Sequence, residues 1–204
     1  MIVSYNKEYV GDVLLVQLAT EGIVKTVVER AGDIAILKEA QTGEVKAFNL
    51  FNASSYMTIE ANGNVEVTPE LVEALEVAIA KNEAAISLSV DFTPKFVVGY
   101  VETKEKHPNA DKLNICTVNV GEETLQIVCG APNVEAGQNV VVAKIGAVMP
   151  SGMLIKEGNL RGVDSFGMLC SARELAIPNA PSEKGILVLD ASTKVGTPFE
   201  IPTR

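Results

Sequence analysis

Hydrophobic and polar residues alternate through much of the second half of the chain in short runs typical of β-strands. The clearest run covers residues 113–120, where apolar and polar side chains alternate as in a strand with one buried face. Turn-forming residues separate this run from its neighbours. The pattern predicts five strands, at residues 96–102, 113–120, 125–129, 140–144 and 185–189. Five strands with little helix favour a small barrel or a sandwich, and periodicity alone does not choose between them.

The first half of the chain predicts a small antiparallel sheet followed by one helix. Short apolar runs separated by glycine-containing turns predict strands at residues 13–18, 23–28 and 34–37. Thr68 is a suitable N-cap and Pro69 a suitable first helical residue, and apolar side chains then recur at helical spacing up to about Asn82. We therefore predict a small α+β domain here.

The two halves differ in charge. Residues 1–94 carry 6 basic and 14 acidic side chains, whereas residues 95–204 carry 11 and 12, within a chain of net charge −9. Pro94 biases the residue before it toward extended geometry and interrupts the preceding element. We therefore place a boundary near residues 91–94 and predict two domains, 1–94 and 95–204, which suits a chain of 204 residues.

Composition narrows the class of protein. With 47% hydrophobic and 21% charged residues, the chain has enough apolar material for packed cores. It has no apolar run near the roughly 20 residues of a spanning helix and no secretory signal pattern, so we expect no membrane association and a cytoplasmic location. Cys116, Cys129 and Cys170 are odd in number and lack metal-ligand spacing, so we expect buried free thiols, and we predict no metal and no cofactor.

Three blocks in the second half resemble a known family. They are residues 107–113 (HPNADKL), 127–133 (IVCGAPN) and 159–171 (NLRGVDSFGMLCS). In this order and at this separation they resemble the tRNA-binding domain family, which occurs in phenylalanyl-tRNA synthetase β subunits, in methionyl-tRNA synthetases and in free-standing tRNA-binding proteins. The resemblance covers about residues 95–200 and implies an all-β OB-fold, a five-stranded barrel, for 95–204.

The resemblance also implies non-catalytic binding of tRNA, by shape and backbone. On such a barrel, phosphates meet Lys or Arg and exposed bases meet aromatic or apolar side chains. Arg161 is the first choice, because the family pattern places its loop by the open barrel face and a guanidinium grips phosphate with two hydrogen bonds. The predicted RNA-binding residues are His107, Lys112, Asn114, Lys144, Lys156, Arg161, Ser165, Met168 and Ser171.

Structural alternatives exist for several of these residues. A lone histidine in a turn, such as His107, more often makes a local hydrogen bond, and a methionine such as Met168 more often closes a barrel end than contacts a base. Ser165 suits either a phosphate contact or stabilisation of its turn. Residues 144–161 hold three basic side chains and one acidic one, which predicts a locally positive strip and salt-sensitive binding. Phe166 stands where many relatives have a small, polar or acidic residue, and it suits either stacking or packing.

Two rival functions follow from the same sequence. An enzyme is disfavoured, because the single histidine lies in a turn and neither G-x-S-x-G nor G-x-x-x-x-G-K-[ST] is present. The stronger alternative is a protein-interaction module of the translation machinery without physiological RNA contact. In that case the acidic first domain docks on a synthetase, another translation protein or a second copy of the chain. Binding to folded tRNA against single-stranded DNA as competitor separates these hypotheses.

Overall fold

The computed structural model describes residues 1–19 and 25–202. The chain divides into two compact units, Met1–Phe92 and Thr93–Arg204. No helix in the described part of the chain is both long and apolar enough to cross a membrane.

The first unit is a six-stranded antiparallel sheet with one α-helix. Its strands are β1 (Ile2–Tyr5), β2 (Val13–Gln17), β3 (Thr26–Ala31), β4 (Ile34–Glu39), β5 (Val45–Phe51) and β6 (Gly63–Val65). They lie in the order β3-β4-β5-β2-β1-β6, which leaves β3 at one edge. The helix α1 (Pro69–Lys81) buries Leu75, Ala78 and Ile79 in one core with the sheet. The predicted α+β class is thus confirmed.

The start of α1 is also as predicted. Thr68 Oγ1 accepts a hydrogen bond from the Leu71 N–H at 3.2 Å, and Pro69 is the first helical residue. The helix ends at Asn82, whose N–H still donates to a carbonyl of the last turn. The predicted strand at residues 23–28 begins outside the described residues, and the observed strand β3 starts at Thr26. The sheet has twice the three strands predicted.

The second unit is a nearly closed barrel. Its strands are β7 (Phe96–Lys106), β8 (Asn114–Asn119), β9 (Thr124–Cys129), β10 (Asn139–Lys144), β11 (Gly158–Leu160), β12 (Val163–Ser165), β13 (Gly167–Leu169) and β14 (Val188–Leu189). The main sheet has the order β13-β10-β7-β8-β9, with β14 paired to β10. The chain between β12 and β13 returns to β9, where the Phe166 N–H donates to the Gln126 carbonyl at 2.9 Å. The predicted OB-fold is confirmed.

The apolar interior of the barrel explains the strand alternation. Val101, Cys116, Val118 and Ile127 are completely buried in one cluster, on the inward positions of β7, β8 and β9. All three cysteines are free and buried, as predicted. Burial raises the pKa of Cys116 to about 11 and that of Cys170 to about 12. These thiols therefore stay protonated near neutral pH.

Two predicted strands differ in extent. The strand predicted at 96–102 continues to Lys106. A bulge between Val101 and Thr103 shifts the register and removes the simple alternation of apolar and polar residues, so the sequence pattern ends there although the strand does not. The strand predicted at 185–189 is reduced to Val188–Leu189. Its first residues are held instead by a side chain: the Asn133 amide accepts from the Ile186 N–H at 2.8 Å and donates to the Ile186 carbonyl at 3.0 Å. The pairing is with an asparagine, which a strand pattern does not reveal.

Candidate nucleic-acid interface

The β11–β12 hairpin presents Arg161 at its tip. Leu160 pairs with Val163, which leaves Arg161 and Gly162 as a two-residue turn. Both have positive φ, 51° and 93°, which is the type I′ turn that matches the twist of a hairpin. Asn159 fixes this turn, because its side-chain oxygen accepts from the Gly162 N–H at 2.9 Å. The exposed Arg161 side chain thus starts from a defined backbone.

His107 ties the preceding loop to this hairpin. Its Nδ1 accepts from the Asn109 N–H at 3.0 Å, so Nε2 carries the proton of the neutral ring and donates to the Leu160 carbonyl at 2.9 Å. Asn109 Nδ2 donates to the Arg161 carbonyl at 3.1 Å. We call residues 106–113 and 158–165 the loop–hairpin corner. His107 is only 5% exposed and both ring nitrogens have protein partners, so it positions the corner.

Three exposed cations lie in the loop–hairpin corner: Lys106, Lys112 and Arg161. None of the three has an ion-pair partner among the residues that the structure describes. The corner also contains two carboxylates, Asp111 and Asp164, and the second accepts from Asn159 Nδ2 at 2.6 Å. The corner therefore offers unpaired cations on a fixed backbone, which suits it to phosphate.

The basic side chains elsewhere on the barrel are arranged differently. Lys144 Nζ lies 2.6 Å from a Glu123 carboxylate oxygen, and Lys104 Nζ lies 2.7 Å from one of Glu135. Lys156 is exposed and has an interaction of its own. Lys144 is thus neutralised at close range, and the strip predicted over residues 144–161 has its unpaired charge at the hairpin tip.

Two further predicted residues serve the backbone. Ser165 is buried; its Oγ accepts from the Val128 N–H at 3.0 Å and donates to the Gly167 carbonyl at 3.3 Å. This hydroxyl joins β12 to β9 at the seam of the barrel. Asn114 begins β8 at 7% exposure, and its Oδ1 is the one buried side-chain polar atom of the described residues without a hydrogen-bond partner. Phe166 is half-buried beside the same seam.

Met168 and Ser171 line a cavity of about 560 Å³ beside the end of β9. Its walls come from residues 128–133, β13, the 171–174 turn and the 181–187 segment. In that turn the Ser171 N–H donates to Glu174 Oε2 at 2.8 Å, and the Glu174 N–H donates back to Ser171 Oγ at 3.2 Å. This reciprocal pair has the pattern of a capping box and makes the turn rigid.

The structure therefore divides the predicted residues into groups. His107, Lys112 and Arg161 meet at the loop–hairpin corner, Met168 and Ser171 meet at the cavity, and Lys144 is paired elsewhere. The sequence patterns did not identify the asparagines that fix these parts, Asn109, Asn133 and Asn159. All three lie inside the three sequence blocks, and two lie beside a proline, so asparagine in turns was the available signal.

No group of three or more His, Cys, Asp or Glu side chains suited to a metal ion occurs within residues 1–19 and 25–202.

Comparisons with known proteins divide the chain in a similar way. Residues 96–198 match the family described as "Putative tRNA binding domain", and residues 23–91 match "Domain of unknown function (DUF4479)". The "Putative tRNA-binding protein YtpR" of Bacillus subtilis (strain 168) is 56% identical over 196 residues, which cover 96% of this chain and 98% of that protein.

Two partial matches accompany it. The phenylalanine–tRNA ligase beta subunit of Campylobacter jejuni (strain RM1221) is 54% identical over 129 residues, which are 60% of this chain and 16% of that subunit. The solved C-terminal domain of Plasmodium vivax p43 is 28% identical, covering 53% of this chain and 61% of that chain, with a TM-score of 0.38.

Proposed function

Because the chain belongs to the tRNA-binding domain family, we propose that it binds folded tRNA at the loop–hairpin corner. The observation that carries this proposal is that Lys106, Lys112 and Arg161, exposed and without ion-pair partners in the described structure, lie on two segments that His107 and Asn109 join by hydrogen bonds. Three such cations can neutralise three backbone phosphates.

Contacts of this kind recognise the shape and the backbone of the RNA. Lysine and arginine bound to phosphate fix the position of a nucleic acid and carry no direct sequence information. Arg161 adds geometry, because its planar guanidinium can hold one phosphate with two hydrogen bonds. The hairpin tip is fixed by His107 and Asn109, so little order has to be created on binding. We expect little preference among tRNA species.

The proposed role is non-catalytic. A histidine that acts as a general base needs a ring nitrogen free to take a proton, and both nitrogens of His107, the single histidine, are bonded within the corner. The match to the synthetase subunit covers 16% of its length, so the reaction of that enzyme is not carried over. The expected cytoplasmic location stays a prediction.

The first unit has a feature that supports a second candidate function, docking on another protein. Its edge strand β3 has Val27 and Val28 exposed to 46% and 65%. An exposed apolar edge strand is suited to pairing with a strand of a partner. A synthetase, another translation protein and a second copy of the chain remain the predicted partner classes. Light scattering of the purified chain tests the last one, since self-association doubles the measured mass.

A fluorescence-anisotropy titration of total tRNA with the full chain tests the main proposal. Neutralising three phosphates predicts a roughly 20- to 40-fold loss of affinity when salt rises from about 50 to about 200 mM. Binding should also survive an excess of single-stranded DNA. A flat salt response contradicts the phosphate contacts, and binding to neither nucleic acid favours the protein-docking alternative.

Arg161→Ala in the same titration should weaken tRNA binding roughly tenfold, the loss expected for one charge-assisted contact, without unfolding the barrel. Lys194→Ala is the matched control. Lys194 is an exposed cation without an ion pair in the described structure, next to the Gly121–Gly196 contact at the other end of β8. Equal effects of the two substitutions would remove the corner from the binding surface.

A further inference from the structure

We propose that the cavity beside β9 receives one unstacked nucleotide of the bound RNA, with a preference for a base that carries an exocyclic amino group. This inference rests on the proposed tRNA binding and adds a second contact region to it. The volume of the cavity, about 560 Å³, lies within the range of small-molecule sites and exceeds the voids left by imperfect packing.

The lining has the two kinds of surface that a nucleotide requires. Cys129, Leu169 and Ile186 form an apolar part, each at most 7% exposed. Exposed charged side chains stand on the rim: Arg173, Glu174, Glu183 and Lys184. A base has apolar faces and polar edges, so an apolar floor with a polar rim matches it.

The walls are already fixed without a ligand. Asn133 holds Ile186 by both backbone groups, and a Cβ on Gly185 would lie 2.7 Å from the Asn133 side-chain oxygen, so glycine is needed for this approach. Arg173 Nη2 donates to the Ser182 carbonyl at 2.9 Å and, more weakly, to the Pro181 carbonyl at 3.5 Å. A preformed site avoids the ordering cost that a mobile loop would add.

The wall of the cavity lies next to the loop–hairpin corner. Gly130 lines the cavity, and a Cβ built on it would lie 3.2 Å from Leu113 Cδ2 and 3.7 Å from the Lys112 carbonyl oxygen. Val128 also lines the cavity and donates its N–H to Ser165 of the corner. The backbone of the corner at Lys112 and Leu113 therefore adjoins the cavity wall, so RNA bound at the corner lies close enough to place one nucleotide in the cavity.

The rim gives the expected preference. Lys184 and Glu183 have no hydrogen-bond or ion-pair partner among the described residues, so the ammonium is available to a phosphate and the carboxylate to a donor. Cytosine presents an amino donor at the position where uracil presents a carbonyl acceptor. A carboxylate accepts from the first and repels the second.

An amide NMR titration of the ¹⁵N-labelled full chain with CMP and with UMP tests the preference directly. Shifts should concentrate at Gly130, Ala131, Ala172 and Gly185, and CMP should bind at least threefold more tightly than UMP. Glu183→Gln, an exposed substitution that leaves the hydrogen bonds of the cavity walls in place, should remove the difference. No shifts at these positions, or equal affinities in the original chain, overturn the proposal.

Ala172→Trp, which fills the cavity, tests whether RNA is the source of the nucleotide. Its tRNA affinity should fall about tenfold, whereas Ala136→Trp, on an exposed turn that does not line the cavity, should bind as the original chain does. If Ala172→Trp loses CMP but keeps tRNA, the site takes free nucleotides and the inference is wrong, while the proposed function stands. If the original chain binds no tRNA, both the inference about the cavity and the proposed function are wrong. Should Ala172→Trp not fold, Lys184→Ala replaces it, with an expected threefold loss of tRNA affinity.

Discussion

The two units of the chain use their charged side chains differently. In the first unit, three basic side chains of the sheet have partners: Lys38 and Lys46 pair with glutamates, and the Arg30 guanidinium lies 4.3 Å from the Phe51 ring centroid. In the second unit, Lys106, Lys112 and Arg161 have no such partner in the described structure. The second unit, which is close to neutral, therefore carries the surface best suited to an anion.

The carboxylates of the first unit show why its acidity is not simply a repulsive surface. Asp12 accepts from the Ser54 hydroxyl at 2.6 Å and from the Tyr5 hydroxyl at 2.8 Å, and the hydrogen bond from Ser54 is the main cause of its lowered pKa. Asp33 accepts from Tyr56 and Asn52. The hydrogen-bond partners of a carboxylate determine whether its charge is available to repel an anion, and a count of charges per domain does not reveal those partners.

The largest expected difference between the units appears at alkaline pH, because all three cysteines belong to the barrel. Burial raises the pKa of Cys116 to about 11 and of Cys170 to about 12, from 9.0. Between pH 9 and 12 the unfolded thiols lose protons that the folded ones keep, so stability falls as pH rises. At about pH 11 the barrel should lose roughly 5 kcal/mol of unfolding free energy.

Urea unfolding followed by far-UV circular dichroism at several pH values measures this loss. Replacing Cys116 and Cys170 together by alanine lowers stability at neutral pH, because buried volume is removed. The test is the slope of the unfolding free energy against pH above pH 9, which should be shallower in the double variant. An unchanged slope would show that other groups cause the alkaline loss.

The next largest effect is expected from reversing the unpaired cations. Changing Lys106, Lys112 and Arg161 to glutamate should lower tRNA affinity at least about 100-fold, since three attractions become repulsions. Lys7→Glu, on the exposed surface of the first unit, should change affinity less than about twofold. Anisotropy titrations at one salt concentration give both values. A comparable loss in both proteins would mean that net charge, and not the corner, governs binding.

Sequence patterns predicted the barrel strands well where apolar side chains are buried on one face, as in β9, or on both faces, as in β10. The strands at 125–129 and 140–144 agree with β9 and β10 to within one residue, because their inward side chains are uniformly apolar. The patterns failed for the three-residue strands β11, β12 and β13, which are too short for a periodic signal. The N-cap at Thr68 was predictable because capping depends on neighbouring residues alone.

The candidate site was less predictable than the fold. The motif led to His107 and Arg161, but the 53-residue separation between His107 and Leu160 hides the hydrogen bond that makes the histidine a positioning residue. Sequence also does not show that Lys144 is paired with Glu123 while Lys112 is unpaired. These distinctions depend on which side chains the closed barrel brings together.

A smaller effect is expected from an asparagine in each unit. Asn139 is buried and donates to the carbonyls of Asp190, Ala191 and Thr193, at 3.2, 3.2 and 2.9 Å. In the first unit, Asn82 accepts from the Asp33 N–H at 2.8 Å. Replacing either by alanine should cost about 2 kcal/mol of unfolding free energy, since backbone groups lose their partner. Amide exchange should rise around residues 190–193 in Asn139→Ala and around Asp33 in Asn82→Ala, and the reverse pattern would contradict these assignments.

The smallest expected effect separates stability from binding. Thr68→Ala removes the hydroxyl that accepts from the Leu71 N–H and should cost about 1 kcal/mol in urea unfolding, whereas Thr68→Ser keeps the cap and should cost less. Neither substitution touches the loop–hairpin corner, so tRNA affinity should stay within about twofold of the original chain. If Thr68→Ala instead weakens tRNA binding while leaving unfolding unchanged, α1 itself belongs to the binding surface, and the assignment of RNA contact to the second unit alone fails.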